Sequence, residues 1–169
     1  MTSANQDGYI VSASSVWSNA FADYQAFNNK PFEGQTTGAY SGTNGWSAVD
    51  NSFNSSGDAI LSRPKFGFTI PQEWIQVILP SAKTIISIKL KFRGDSSYTF
   101  APRDFKFYIS NDGETTWRLL ESVENYSVNT EYQETEYSVN GHGTHIGMSI
   151  TGSNLGRTIV VGELFIKGY

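Results

Sequence analysis

The 169-residue chain contains no cysteine, so disulfides and thiol catalysis are excluded, while the redox compartment stays open. It holds only 5 prolines, and charged residues make up just 17% of it. A helical bundle of this length would need more Ala, Leu, Glu and Lys. No apolar run reaches the ~18 residues of a bilayer-spanning helix. The opening Met1-Thr2-Ser3-Ala4-Asn5-Gln6-Asp7 lacks a charged and then apolar secretion signal. This suggests an excised module, or export by another route such as within a virus particle. A cationic excess is missing too. At a net charge of −4 the chain is poorly suited to nucleic acid, whose phosphates demand a basic face, and to anionic lipid.

Aromatics make up 14% of the chain and there are 16 glycines, a balance that suits an all-β protein. The plainest local signal is Phe105-Lys106-Phe107-Tyr108-Ile109-Ser110, which alternates without a break and runs into Asn111-Asp112-Gly113 and then Trp117. Phe105, Phe107 and Ile109 share one face, and Lys106, Tyr108 and Ser110 the other. Period-2 patterning closed by a turn dipeptide marks an antiparallel strand. Similar stretches predict strands at 8–14, 66–70, 74–79, 85–93, 105–110, 117–123, 133–139, 145–151 and 160–167. Within these, Ile86, Ile88, Leu90 and Phe92 are expected to point inward, as are Ile146, Met148 and Ile150. Closely spaced strands without helical periods predict an eight-stranded antiparallel β-sandwich of the jelly-roll kind. One short helical turn is expected within 21–28. Residues 8–169 form a single domain in this reading, and 1–7 a disordered or tag-like N-terminus.

The segment 15–62 is polar, yet it carries Trp17, Phe21, Tyr24, Phe27, Phe32, Tyr40, Trp46 and Phe53. Disordered linkers are poor in aromatics, so these rings either plug the ends of the core or line a binding site. Gly141-His142-Gly143-Thr144-His145 resembles the histidine motif of subtilisin-type proteases. The nucleophilic serine context and orienting aspartate that such chemistry needs are lacking, and an all-β chain has no place for that enzyme's helices. The segment is expected in a turn leading into a strand. Ser110-Asn111-Asp112-Gly113-Glu114-Thr115-Thr116-Trp117 echoes the aspartate-box turn of sialidases, but a single copy reads as a hairpin. The chain is expected not to be an enzyme.

An ordered series of pieces carries a family resemblance. These are Ala26-Phe27-Asn28-Asn29, Trp46-Ser47, Glu73-Trp74-Ile75-Gln76-Val77-Ile78-Leu79, Ile85 to Arg93, and Pro102-Arg103-Asp104-Phe105-Lys106. Ser110-Asn111-Asp112-Gly113 with Trp117 follows, and Gly162-Glu163-Leu164-Phe165-Ile166-Lys167-Gly168 closes the series. Together they resemble the discoidin, or coagulation-factor C-type, domain, and within it the family 32 carbohydrate-binding modules. The resemblance implies a galactose-binding-like sandwich that binds rather than catalyses. It implies a non-catalytic module that recognises glycans on an extracellular, cell or virion surface for a larger multidomain or multimeric assembly, such as a secreted glycosidase, adhesin or phage tail. A membrane- or protein-docking domain and a purely structural module are the alternatives.

A sugar offers an apolar face to an aromatic ring and hydroxyls to planar hydrogen-bonding groups. The resemblance places the ligand contacts at Arg93 and Tyr98, with Trp17 and Tyr24 as rival stacking rings and Asn154 and Arg157 as hydrogen-bond donors. It also implies structural calcium, held by carbonyls around Ala26 and Asn28 and by Glu163. Glu163 shares parity with Val161 and Phe165, so it is a carboxylate on an otherwise apolar face and needs a partner. Where relatives carry Ala-Phe-Asp-Gly this chain has Ala26-Phe27-Asn28-Asn29, which removes one carboxylate from that set.

Overall fold

A computed structural model of the chain describes residues 3–19, 22–27, 45–92 and 99–169. The strands are Asn5–Gln6 (β1), Tyr9–Ala13 (β2), Trp46–Ser47 (β3), Glu73–Lys91 (β4), Pro102–Ser110 (β5), Arg118–Val123 (β6), Glu134–Ser153 (β7), Val160–Val161 (β8) and Glu163–Gly168 (β9). A 3₁₀ helix covers Asp23–Phe27.

β4 and β7 run antiparallel along most of their length, and their pairing register breaks between Ile78 and Lys83. Before that break β4 pairs with β2, and the last part of β7 pairs with β5, giving the sheet order β1-β2-β4-β7-β5-β6. Beyond it β4 pairs with β9 and with the first part of β7. This second layer closes over the first. Tyr137, on the first part of β7, sits edge-on to Phe105 at 5.9 Å and against Phe107 at 5.6 Å. A short β3–β8 ribbon stands apart. Between the layers lie Ile75, Val77, Ile88, Leu90, Phe92, Phe105, Phe107, Ile109, Ile146, Met148, Ile150 and Leu164. Each such side chain contributes about 1.5–3 kcal/mol when fully withdrawn from water.

The all-β sandwich matches the expectation, but several local features differ. The predicted strands 74–79 and 85–93 are one strand, β4, as are 133–139 and 145–151, which form β7. The histidine motif therefore lies within β7 rather than in a turn. Ile86 does not point inward: it is 38% exposed and Ile85 is buried in its place. The cause is a register shift between Ile85 and Ser87, which reverses the parity of everything before it. Segment 66–70 is no strand. Lys65 and Phe68 exchange backbone hydrogen bonds across Phe66 (φ 57°) and Gly67 (φ 82°), the two left-handed positions of a type I′ hairpin turn. The Phe66 ring, 4% exposed, lies over the outer face of the sheet, stacked on Tyr108 at 4.8 Å and edge-on to Trp117 at 4.7 Å. That cover is why Tyr108 and Ser110 are buried although they face away from the core. Near the N-terminus, Asn5–Gln6 pair with β2, although the sequence places them in a disordered leader.

Candidate functional site

Four strand ends meet at one pole of the sandwich. Ala13 of β2 pairs with Ile75 at the start of β4, Glu73 with Ile150 late in β7, and Pro102 at the start of β5 with Ser153. The segments 14–19, 48–60, 99–101 and 152–158 thus emerge together as a rim.

Two polar clusters hold this rim, one buried and one near the surface. Glu73 is fully buried. Its Oε1 accepts from Arg63 Nε at 2.9 Å, and its Oε2 accepts from the hydroxyls of Ser15, at 2.8 Å, and Ser14. A buried carboxylate is tolerable only with such donors. Ser15 is pinned further: its Oγ accepts from Val49 N at 3.0 Å and its carbonyl from Trp46 Nε1 at 2.8 Å. Arg103 organises the other cluster. Its Nε donates to Asp104 at 2.7 Å, its Nη1 to the Ser56 carbonyl at 2.8 Å and its Nη2 to Asp58 at 2.9 Å. The planar guanidinium fork suits three acceptors in one plane. Gly57, at φ 82°, lies so close to β7 that a Cβ there would stand 2.1 Å from the Ser153 carbonyl oxygen. The 52–58 segment is thereby pressed onto 152–158.

Against this frame the sequence-predicted residues fall as follows. Trp17 is on the rim, 57% exposed, with its amide donating to the Ser47 carbonyl at 2.9 Å. Asn154 donates through both its amide N and its Nδ2 to the Ala101 carbonyl, each at 3.1 Å. It therefore ties the 152–158 loop to the segment that follows residues 93–98. Arg157 is exposed at φ 65°, and its carbonyl accepts from Phe53 N at 3.1 Å. Thr158 Oγ1 donates to the Ala48 carbonyl at 2.7 Å, which joins the Arg157 loop to the strand that holds Trp17. Trp17, Asn154 and Arg157 thus share one pole. Tyr24 does not join them at the surface; it is partly buried against the core. Ala26, fully buried, lies on the 3₁₀ helix, which packs on β9, the strand that opens with Glu163, 1% exposed. Arg93, Tyr98 and Asn28 lie outside the described residues.

The sequence reading had not singled out Glu73, Arg63, Arg103 or Asp58 as parts of the site. One signal was available: Glu73 shares parity with the buried Ile75 and Val77, just as Glu163 does with Val161. Beside Arg103 opens a cleft of about 420 Å³ lined by Asp58, Asp104, Lys106, Glu124 and Asn125. A more apolar cavity of about 400 Å³ opens along the edge between β2 and β9, lined among others by Tyr9, Phe27, Leu79, Ile85 and Glu163.

The sandwich and its looped rim define a family. Residues 10–161 match the F5/8 type C domain, and the chain belongs to that family. Among solved structures, the family 32 carbohydrate-binding module of NanJ from Clostridium perfringens, in complex with galactose, shares 13% identity at a TM-score of 0.65, covering 98% of this chain and 97% of that one. Chitosan-binding module 1 of a chitosanase/glucanase from Paenibacillus sp. IK-5 shares 15% identity at 0.64, over 95% and 96% of the two chains. An F5/8 type C domain from Bacteroides fragilis shares 10% identity at 0.66, over 96% and 92%. No curated protein sequence matches this chain.

Proposed function

We propose that this chain is a non-catalytic carbohydrate-binding module that holds glycan on an extracellular surface for a larger multidomain or multimeric assembly. The observation that carries this reading is the rim itself, where an exposed Trp17 stands on a segment locked by the Glu73 carboxylate, beside a loop carrying Arg157. An aromatic carried on a fixed backbone and flanked by hydrogen-bonding groups suits a sugar ring, because the backbone need not be ordered at the moment of binding. Family membership and the likeness to modules solved with sugars support the same reading. Arg93 and Tyr98, in the segment that leads to Ala101, complete the proposed contact set.

Calorimetry with galactose, N-acetylgalactosamine and glucosamine oligosaccharides tests this. Weak millimolar binding is expected, and Trp17→Ala should lower the affinity about tenfold, the loss of one stacking contact of ~1.4 kcal/mol. Absence of binding by any of these sugars to the folded protein, or binding untouched by Trp17→Ala and Arg93→Ala, overturns the reading. A structural Ca²⁺ belongs to the same proposal. Glu163 is a buried hard oxygen donor on β9, the strand against which the 3₁₀ helix of Ala26 packs, which suits that ion. Added Ca²⁺ should raise the melting temperature, and Glu163→Gln should abolish the rise.

A docking role is favoured by one observation, the exposed apolar residues Ile60, Leu61, Phe68 and Ile70 on the 60–71 hairpin. Liposome sedimentation separates a membrane partner from glycan.

A further inference from the structure

The opposite pole of the sandwich, where β5 ends at Ser110, carries a second cleft. It encloses about 300 Å³ and is lined by Asn111, Thr116, Trp117, Arg118 and His142 over a floor of Ile109 and Ser110. We infer that this cleft is a separate binding site for a carboxylate-bearing sugar.

Arg118 brings an unpaired cation to this cleft. Arg118 Nη2 donates to the Asn140 carbonyl at 2.8 Å, and among the described residues Arg118 forms no ion pair. Of the neighbouring acids, Glu114 is paired with a cation, while Asp112 keeps its charge and is bonded only by neutral donors. Asp112 accepts from Thr116 N at 2.9 Å, from Thr116 Oγ1 at 2.5 Å and from Ser110 Oγ at 2.7 Å, all within its own loop. Glu114 is tied to Lys65 Nζ at 2.7 Å and to Gln76 Nε2 at 2.7 Å. Neither acid lines the cleft. A guanidinium with free donors in a concave site is the usual seat of a planar carboxylate, which it grips in bidentate fashion.

The rest of the lining suits a sugar ring. His142 is exposed, with Nδ1 3.3 Å from Thr84 Oγ1, which leaves its other ring nitrogen for a ligand. Asn111 supplies an amide, and Thr116 Oγ1, having donated to Asp112, accepts. Trp117 forms a wall and is held in place by the edge-on Phe66 at 4.7 Å and by His145 at 6.4 Å. The glycines of the histidine motif have a physical reason in this setting. A Cβ at Gly141 would lie 2.9 Å from Arg118 Nη2, and one at Gly143 would lie 2.5 Å from the Ser110 carbonyl oxygen. Gly143 must be Gly for β7 to pass under the Ser110 backbone, whereas the atoms met at Gly141 are side-chain ends that can give way.

The site lies at the other end of the molecule from the Trp17 rim, so the two are tested apart. Backbone and indole NMR shifts are followed while the intact chain is titrated with methyl glucuronide and, separately, with methyl glucoside and acetate. The acidic sugar should move Asn111, Trp117 and His142 saturably, and the neutral one should not. Arg118→Gln should weaken that binding about tenfold or more, the loss of a charge-assisted pair. His142→Gln, which leaves Arg118 in place, should weaken it by a smaller factor. The proposal is overturned if the acidic sugar produces no saturable shift at this pole, if Arg118→Gln leaves its affinity unchanged, or if acetate binds equally well. Neutral-sugar binding at the Trp17 rim should persist in Arg118→Gln, so failure at one pole does not register at the other.

Discussion

Tyr137 carries a buried hydroxyl with no hydrogen-bond partner among the described residues. Its ring is wedged between Phe105 and Phe107, and burial pushes its ionisation well above the usual range. An unsatisfied buried hydroxyl costs about 1–3 kcal/mol, so removing it stabilises the fold. Tyr137→Phe should therefore raise the melting temperature by a few degrees, at roughly 2–4 °C per kcal/mol for a chain of this size. Calorimetry of the two proteins checks this, and an unchanged or lower melting temperature contradicts it. At this scale the sequence was legible where parity alone decides. Glu163 could be read as a carboxylate on an apolar face, and it is 1% exposed. It was opaque where partners are distant. Arg103 reaches Ser56 and Asp58, and Asn154 donates its side-chain amide to the Ala101 carbonyl. No local pattern in the sequence encodes such long-range contacts.

Among the elements, the 60–71 hairpin depends on a single missing side chain. Phe66 lies in a notch over Gly147, where a Cβ would come within 2.2 Å of the ring. Gly147→Ala should lift Phe66 off Tyr108 and Trp117. The expected cost is about 1–3 kcal/mol, as for other overpacked sites, together with a shift in tryptophan fluorescence; urea unfolding and emission spectra measure both. Strand existence was readable because alternation was clean in 105–110 and 145–151. Strand boundaries were not. A turn between β-patterned stretches and a register break inside one long strand look alike in sequence, so β4 and β7 each read as two strands. Ile86 misled for a related reason, since a bulge changes parity without changing composition.

For the whole molecule, charge sets an acid limit. Hydrogen bonds from the Thr116 side chain and amide and from Ser110 hold Asp112 at about 2, against an ordinary 3.8. Glu134 lies below its ordinary value through hydrogen bonds from Lys91 and then Lys89. Burial raises Glu114, but its bonds to Lys65 and Gln76 outweigh this and leave it lowered. In each case the unfolded chain takes up protons at higher pH than the folded one. The stabilisation is therefore fully present above the unfolded values, near 4 to 4.5, and is lost as pH falls through the folded ones. Melting temperatures should be nearly flat from neutral pH down to about pH 5 and then fall towards pH 2. Asp112→Asn should soften the last part of that fall in a scanning calorimetry series.

The shared length of β4 and β7 has a mechanical consequence. Each belongs to both layers, so the sandwich has no seam along which one sheet can peel away while its neighbour stays shut. A tug on the rim at Glu73 is carried by unbroken backbone to the far side of the sandwich, so a load applied at one pole is borne by the entire body at once.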